Sequence, residues 1–488
     1  MSTPAHAAPL RAGVAVSDIT TRRKGAIIDD PLLAKALVLD DGRTRAAILA
    51  IDALAVGGIG DIRDDFLPKL RRRVERELGI PGPNLLVNAS HTHPPGRLLC
   101  SDAQQVQRAF DALRRAARAL TPVSVGVGAA REDRLTINRT LRLKAGSHWT
   151  IRHANPCPPE DDVAGLGPID PEIGLLRFDR PDGSTLAVLW NFACHPLFGN
   201  PRGAITANYP GVASRLIEET LGGGATALFL QGAGGDIVDI HFKDFTRPRD
   251  VRPMGTALAL AALKALRRIR TGPARISVRS ETILLPRRTD IPRRIAALER
   301  EQAALLDSLS TTTLNFKAFL PLFLRRQLDP ARPADYAHRY LQAAPTGSED
   351  LSAMDALTGR HVEKYLGSIR AMERLARIRE RITTFRFHQA LNDAARSRTI
   401  PAEVMGLRIG DCALITCPAE ALAQIGLNVK KRSPHKHTFM SAFTNGYVHY
   451  GAPADYYDKG GYEVTECFLA PQWQRRYERA AARVLARL

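Results

Sequence analysis

Asn84-Leu85-Leu86-Val87-Asn88-Ala89-Ser90-His91-Thr92-His93 reads as a short apolar strand that runs straight into two histidines. The same design recurs along the chain. TLAVLWNFAC (185–194) runs into His195-Pro196, and ATALFLQ (225–231) into the loop Gly232-Ala233-Gly234-Gly235-Asp236. CALITCPA (412–419) runs into Glu420, and HTFMSAFTNG (437–446) towards Tyr447 and Tyr450. Apolar runs of this length, bounded by Gly, Pro and polar residues, are buried strands. DDFLPKLRRRVERELGI (64–80) and AQQVQRAFDALRRAARAL (103–120) lie between them with helical spacing. The reading is an α/β fold of mixed sheets flanked by helices, with its site at the carboxyl ends of the strands, where open α/β sheets bind ligands.

From about Thr289 the habit changes. Ile291, Ile295, Leu298, Leu305 and Leu309 mark one amphipathic helix, and Val362, Leu366, Ile369, Met372, Leu375 and Ile382 a longer one. Between them, LNFKAFLPLFLRRQL (314–328) is rich in Phe and Leu around Pro321. It is expected to pack as ordinary core, the alternatives being an acyl pocket or a membrane contact. Strand character returns after 397. The expected organisation is a catalytic domain in two parts, 1–288 and 398–488, interrupted by a helical insertion, 289–397.

The composition narrows the function classes. At 488 residues the chain can bury a large core, and 44% hydrophobic residues exclude global disorder. No run of about 18 apolar residues occurs, so no integral membrane segment is expected. The start, MSTPAHAAPLRAGVAV, lacks a basic region followed by an apolar one, which points to the cytoplasm. Six cysteines without a CxxC pair read as reduced, mostly buried thiols. Net charge is +19, but the basic residues are dispersed and accompany no recognition motif. Nucleic acid is therefore not an expected partner.

His91 and His93 are two residues apart, so both rings leave an extended backbone on one face. Taken singly, each histidine is better read as a structural or surface residue. Two strand-end histidine sites together with strand-end Glu420 offer a metal site, and imidazole with carboxylate suits Zn²⁺ best among common ions. Asp52, at the end of AILAI, reads as a structural carboxylate, and Asp236 as part of a site wall.

At these positions the sequence resembles the neutral (non-lysosomal) ceramidase family, zinc enzymes that hydrolyse the amide of N-acylsphingosines. The likeness runs through Gly13 to Thr20, Asn88 to His93, Ile137-Asn138-Arg139, Asn191 to Pro196 and Ala207 to Gly211. It continues through Gln231 to Asp236, Pro418-Ala419-Glu420, Asn445 to Tyr450 and Gly461-Tyr462-Glu463. The resemblance implies zinc held by His91, His195, Glu420 and Tyr450. Tyr450 is favoured over Tyr447 because the family's zinc tyrosine stands twelve residues before a Tyr-Glu pair, here Tyr462-Glu463. His93, Arg139 and Tyr462 fall where the family holds or polarises the substrate carbonyl.

Three departures accompany the likeness. Val238 replaces the serine of the family's G-D-x-S-P-N turn. The H-T-H-S-G-P-G loop becomes His91-Thr92-His93-Pro94-Pro95-Gly96-Arg97, and an aspartate before Tyr-Pro-Gly becomes Asn208. The chain is also too short for the family's C-terminal immunoglobulin-like domain. The expected activity is zinc-dependent amide hydrolysis by metal-bound water, with His93 as base and Arg139 and Tyr462 at the oxyanion. The expected substrate is a small soluble acyl compound rather than ceramide, with anionic ones suited by Arg97. An ester or lactone hydrolase and a non-catalytic binding protein are the competing readings.

Overall fold

The structure, a computed structural model, describes residues 9–93, 97–152, 157–197, 203–244, 246, 249–330, 345 and 350–488. It divides into two compact units, residues 1–288 with 397–488, and Thr289–Arg396.

The first unit is built on three mixed sheets. One runs in the order Leu85–Ala89, Arg45–Ile51, Leu33–Asp40, Arg11–Asp18, Thr121–Pro122. The second runs Thr226–Gln231, Thr185–Phe192, Glu172–Asp179, Ser124–Arg131. The third runs Ile276–Pro286, Thr399–Ile409, Cys412–Thr416, His437–Ser441. Each sheet is antiparallel except for one parallel pair at its edge: Arg45–Ile51 with Leu85–Ala89, Thr185–Phe192 with Thr226–Gln231, and Cys412–Thr416 with His437–Ser441.

The unbroken apolar runs follow from burial on both faces of these strands. In Arg45–Ile51, Ala46, Ile48 and Ala50 face a core shared by all three sheets, where Leu86, Leu189, Leu407 and Phe439 also lie. Ala47, Leu49 and Ile51 face the opposite way, into a core closed by two helices. Phe66–Leu78 buries Phe66, Leu70 and Val74, a spacing of four that makes one stripe. Asp102–Arg118 starts at a Ser101/Gln104 capping box and buries Phe110 and Leu113. Gly13 allows that helix to lie on the first sheet, because a Cβ there would stand 2.1 Å from the Ala116 carbonyl oxygen.

Buried amides tie the parallel edges together where the strands end. Asn88 Nδ2 donates to the Ala442 carbonyl (2.6 Å), and Asn88 Oδ1 accepts from the Gln231 backbone (3.0 Å). Asn191 Nδ2 donates to Leu230 O and Met440 O at 2.8 and 3.0 Å. The loops after strands from all three sheets therefore converge. A two-residue parallel pair, Glu420–Ala421 with Tyr450–Gly451, sets Glu420 in register with Tyr450.

The second unit contains the helices Ile291–Ser308, Phe316–Leu328 and Asp350–Ala394. Ile291, Leu298, Ile378, Ile382 and Phe385 form its core, with Ile295 and Leu305 against it. Met372, read from spacing as an inward residue, is instead exposed. The helix Phe316–Leu328 also departs from the expectation of ordinary core. It buries only Phe319, while Phe316, Leu320, Leu324 and Leu328 are exposed. The apolar residues fall on more than one side of the helix, and the long helix covers one side. No helix among the described residues is long and apolar enough to cross a membrane.

Candidate metal centre

His91 follows the strand Leu85–Ala89 and adopts φ +65°, a left-handed conformation uncommon for a residue with a side chain. Its backbone N–H donates to Ala53 O (2.8 Å), and its Nδ1 lies 2.7 Å from Leu54 O. A carbonyl can only accept, so Nδ1 carries a proton, and in the neutral ring Nε2 then presents the lone pair. His195 repeats the arrangement, with Nδ1 2.6 Å from Gly234 O. The two free Nε2 atoms face one carboxylate oxygen. Glu420 Oε2 lies 3.4 Å from His91 Nε2 and 3.2 Å from His195 Nε2.

Two further groups meet these atoms. The Tyr450 hydroxyl is 3.4 Å from His195 Nε2, and His93 Nε2 is 2.8 Å from His91 Nε2. The imidazole nitrogens of His91, His93 and His195 lie within 4.8 Å of one another. Of the seven residues named from sequence for ligand or catalytic roles, His91, His93, His195, Glu420 and Tyr450 share this one small volume. Arg139 and Tyr462 stand one step out. The Phe443 ring stacks on His91 at 4.0 Å, and Phe443 has φ +52°, so both residues hold unusual backbone conformations at the cluster.

The electrostatics match the geometry. Burial pulls His195 down to about 4, helped by Arg139 and only partly opposed by Glu420, so it is neutral near pH 7. His93 keeps an exposed flank, yet burial of its ring, reinforced by His91 and His195, holds it well below the usual imidazole value. Burial opposes ionisation of Glu420, but His91 and His195 outweigh it and hold the carboxyl well below its usual range. Burial and the Glu420 charge push the Tyr450 phenol well above 10, while Arg139 pulls the other way. A bound divalent cation would reverse that balance at Tyr450.

The Nε2 atoms of two imidazoles and a carboxylate oxygen thus converge in one buried place. Acceptors gathered in a buried place repel one another unless a cation joins them. The donor set of two nitrogens, one carboxylate oxygen and one phenol oxygen fits Zn²⁺, and the backbone bonds at Nδ1 are the supports that metal-binding histidines require.

Arg139 is buried, with Nε and Nη2 both engaged. Its Nε donates to Glu463 Oε1 (2.7 Å), and its Nη2 to Gly235 O and the Tyr450 oxygen (both 2.9 Å). Glu463 in turn accepts from Thr150 Oγ1 at 2.9 Å. Tyr462 is half-buried, its ring 5.6 Å from that of Tyr450, with the Arg152 guanidinium 4.1 Å above it. Burial raises the Tyr462 phenol to about 12, so it is a hydrogen-bond donor.

Two residues were not named for function from sequence. Tyr447, weighed only as a rival ligand, donates its hydroxyl proton to Glu420 Oε1 in a short hydrogen bond. Glu463, noticed only as a marker beside Tyr462, anchors Arg139. Both stand in the motifs already quoted, which is the signal that could have found them.

The other singled-out positions have partners outside the cluster. Val238 is buried in the strand Ile237–Asp239 opposite Ile137. Asp236 accepts from Asn138 Nδ2 and the Ala423 backbone at 2.7 and 2.8 Å, and Asp52 accepts from the Leu33 backbone at 2.9 Å. Arg97 pairs with Asp102 at 2.9 Å. Pro94, Pro95 and Gly96 lie outside the described residues.

No protein-family model and no curated protein sequence matches the chain. Solved structures do. A ceramidase complexed with C2 superposes with TM-score 0.63 at 15% identity, covering 99% of this chain and 76% of the other. The neutral ceramidase from Pseudomonas aeruginosa gives TM-score 0.61 at 18% identity, covering 99% and 75%. The fold is that of the neutral ceramidases. On this ceramidase fold, the polar residues described above sit together at the ends of the strands.

Proposed function

We propose that the protein is a zinc-dependent hydrolase that cleaves an N-acyl amide bond. One observation carries the reading: Glu420 Oε2 lies within 3.4 Å of the Nε2 atoms of both His91 and His195. His91, His195, Glu420 and Tyr450 would hold the ion. Zinc at that place would supply a Lewis acid and bring the pKa of water towards neutrality.

The chain's own groups supply the rest. His93, kept neutral beside the ligand atoms, is the general base that takes a proton from water. Tyr462 offers a hydroxyl donor to the carbonyl oxygen. Arg139 holds its permanent charge against the Tyr450 oxygen and offsets the negative charge that ligand brings. Val238 has no nucleophilic atom, so attack by water, without an acyl-serine intermediate, is the route that the side chains support. The substrate is a small acyl compound, anionic ones included, and the cytoplasm is the proposed compartment.

The test is a panel of N-acyl amides, matched esters and lactones, and ceramide in mixed micelles, compared by kcat/KM with zinc-loaded protein. Amide turnover that His93→Ala and His195→Ala both abolish supports the proposal. Turnover confined to esters or lactones, or none on any member, overturns it.

A further inference from the structure

Outside the metal centre, the most unusual surface lies on the second unit. Ten of the sixteen exposed large apolar side chains among the described residues belong to it. Four of them share one helix. Phe316, Leu320, Leu324 and Leu328 are spaced by four residues and are 60%, 40%, 49% and 85% exposed. A spacing of four on an α-helix makes one continuous stripe, and thirteen residues extend it over about 20 Å.

The orientation is held by the covered side. Phe319 is buried and stacks on Phe323 at 5.5 Å, with its ring 4.6 Å from that of Tyr365 on the long helix Asp350–Ala394. Asn315 caps the helix by accepting from the Ala318 N–H at 3.1 Å. The stripe is thus the outward face of a fixed helix.

The charges around the stripe select what covers it. Lys317, Arg325 and Arg326 are basic and no residue from Phe316 to Leu328 is acidic; Asp329 follows only at the C-cap. Lys317 is exposed on the same helix. A second copy of the chain on this face would set these cations against their own copies. A surface that is apolar within and negative at its boundary meets both demands. We propose that the helix Phe316–Leu328 docks the protein on anionic lipid bilayers. Phe316, Leu320, Leu324 and Leu328 enter the acyl region, and Lys317 meets the headgroups. Acyl compounds residing in a lipid surface then become accessible alongside soluble ones. The docking stands on the second unit alone and does not depend on the hydrolase reading.

Sedimentation of the full chain with vesicles of phosphatidylcholine, with and without phosphatidylserine, tests this. Wild type should co-sediment with the phosphatidylserine vesicles and be released by salt. Leu320→Gln with Leu324→Gln should weaken binding by roughly tenfold or more, with an unchanged circular dichroism spectrum. As a check independent of those variants, the fluorescence of Leu324→Trp should shift to the blue when vesicles are added. Failure of wild type to bind, equal binding by the glutamine variant, or no spectral shift would overturn the proposal. So would a wild-type dimer in light scattering that the glutamine variant converts to monomer, which would assign the face to a second copy.

Discussion

The phenol of Tyr447 donates to Glu420 Oε1, which leaves Oε2 as the oxygen turned towards His91 and His195. Partners that orient a ligand in this way commonly contribute about 10–100-fold to metal affinity or activity. Tyr447→Phe should therefore weaken zinc retention by about that factor while leaving the fold intact. Competition with a graded series of chelators measures it. Unchanged affinity would show that the bond does not orient Glu420.

Arg139 and Glu463 form an ion pair with only 4% and 3% of their side chains exposed. Removing one partner of such a pair strands the other charge in the interior and costs about 3–5 kcal/mol. Glu463→Ala should show a loss of that size in denaturant unfolding. Replacing both residues with apolar ones of similar volume should cost less than the sum of the single changes. Additive losses would mean that the two do not act as a pair.

Val238, set by the sequence resemblance at the place of a family serine, is buried in a strand. Serine-directed fluorophosphonates should leave the protein unlabelled, and turnover should show no acyl-enzyme burst. Val238→Ser should keep its zinc, because the side chain is no ligand, while losing about 1–3 kcal/mol of stability from the buried hydroxyl. Stoichiometric labelling of a serine in the wild type would refute the water route.

Burial raises the Asp52 carboxyl from 3.8 to about 7, opposed by the Leu33 N–H and Lys35 and assisted by Asp30, with the Ser90 hydroxyl lowering it slightly. Between about pH 4 and 7 the folded chain keeps a proton there that the unfolded chain has lost, so stability falls as pH rises through that window. Asp52→Asn removes that decline. The melting temperature of the variant should exceed that of wild type by more at pH 8 than at pH 5. A constant difference would show that Asp52 titrates normally.

The strands and the histidines at their ends are legible because burial on both faces demands unbroken apolar runs, and side chains able to ligate a metal belong to few residue types. The supports are not. Leu54 and Gly234 act through backbone carbonyls, which any residue possesses, so nothing in the side chains announces them. Arg139 is readable as a cation, but only the fold shows it bonded to Glu463, Gly235 and Tyr450. Phe316–Leu328 is the clearest limit. Its apolar content is plain, yet periodicity cannot say which side of a helix finds a partner.

The most direct test is hydrolysis of an N-acyl amide by one preparation measured three times: as purified, after chelation, and after return of stoichiometric zinc. Activity should be lost with the metal and recovered at about one zinc per chain, and His195→Ala should neither retain the ion nor recover. Full amide turnover by metal-free protein, or a folded wild type that binds no zinc, would contradict the assignment of a zinc hydrolase.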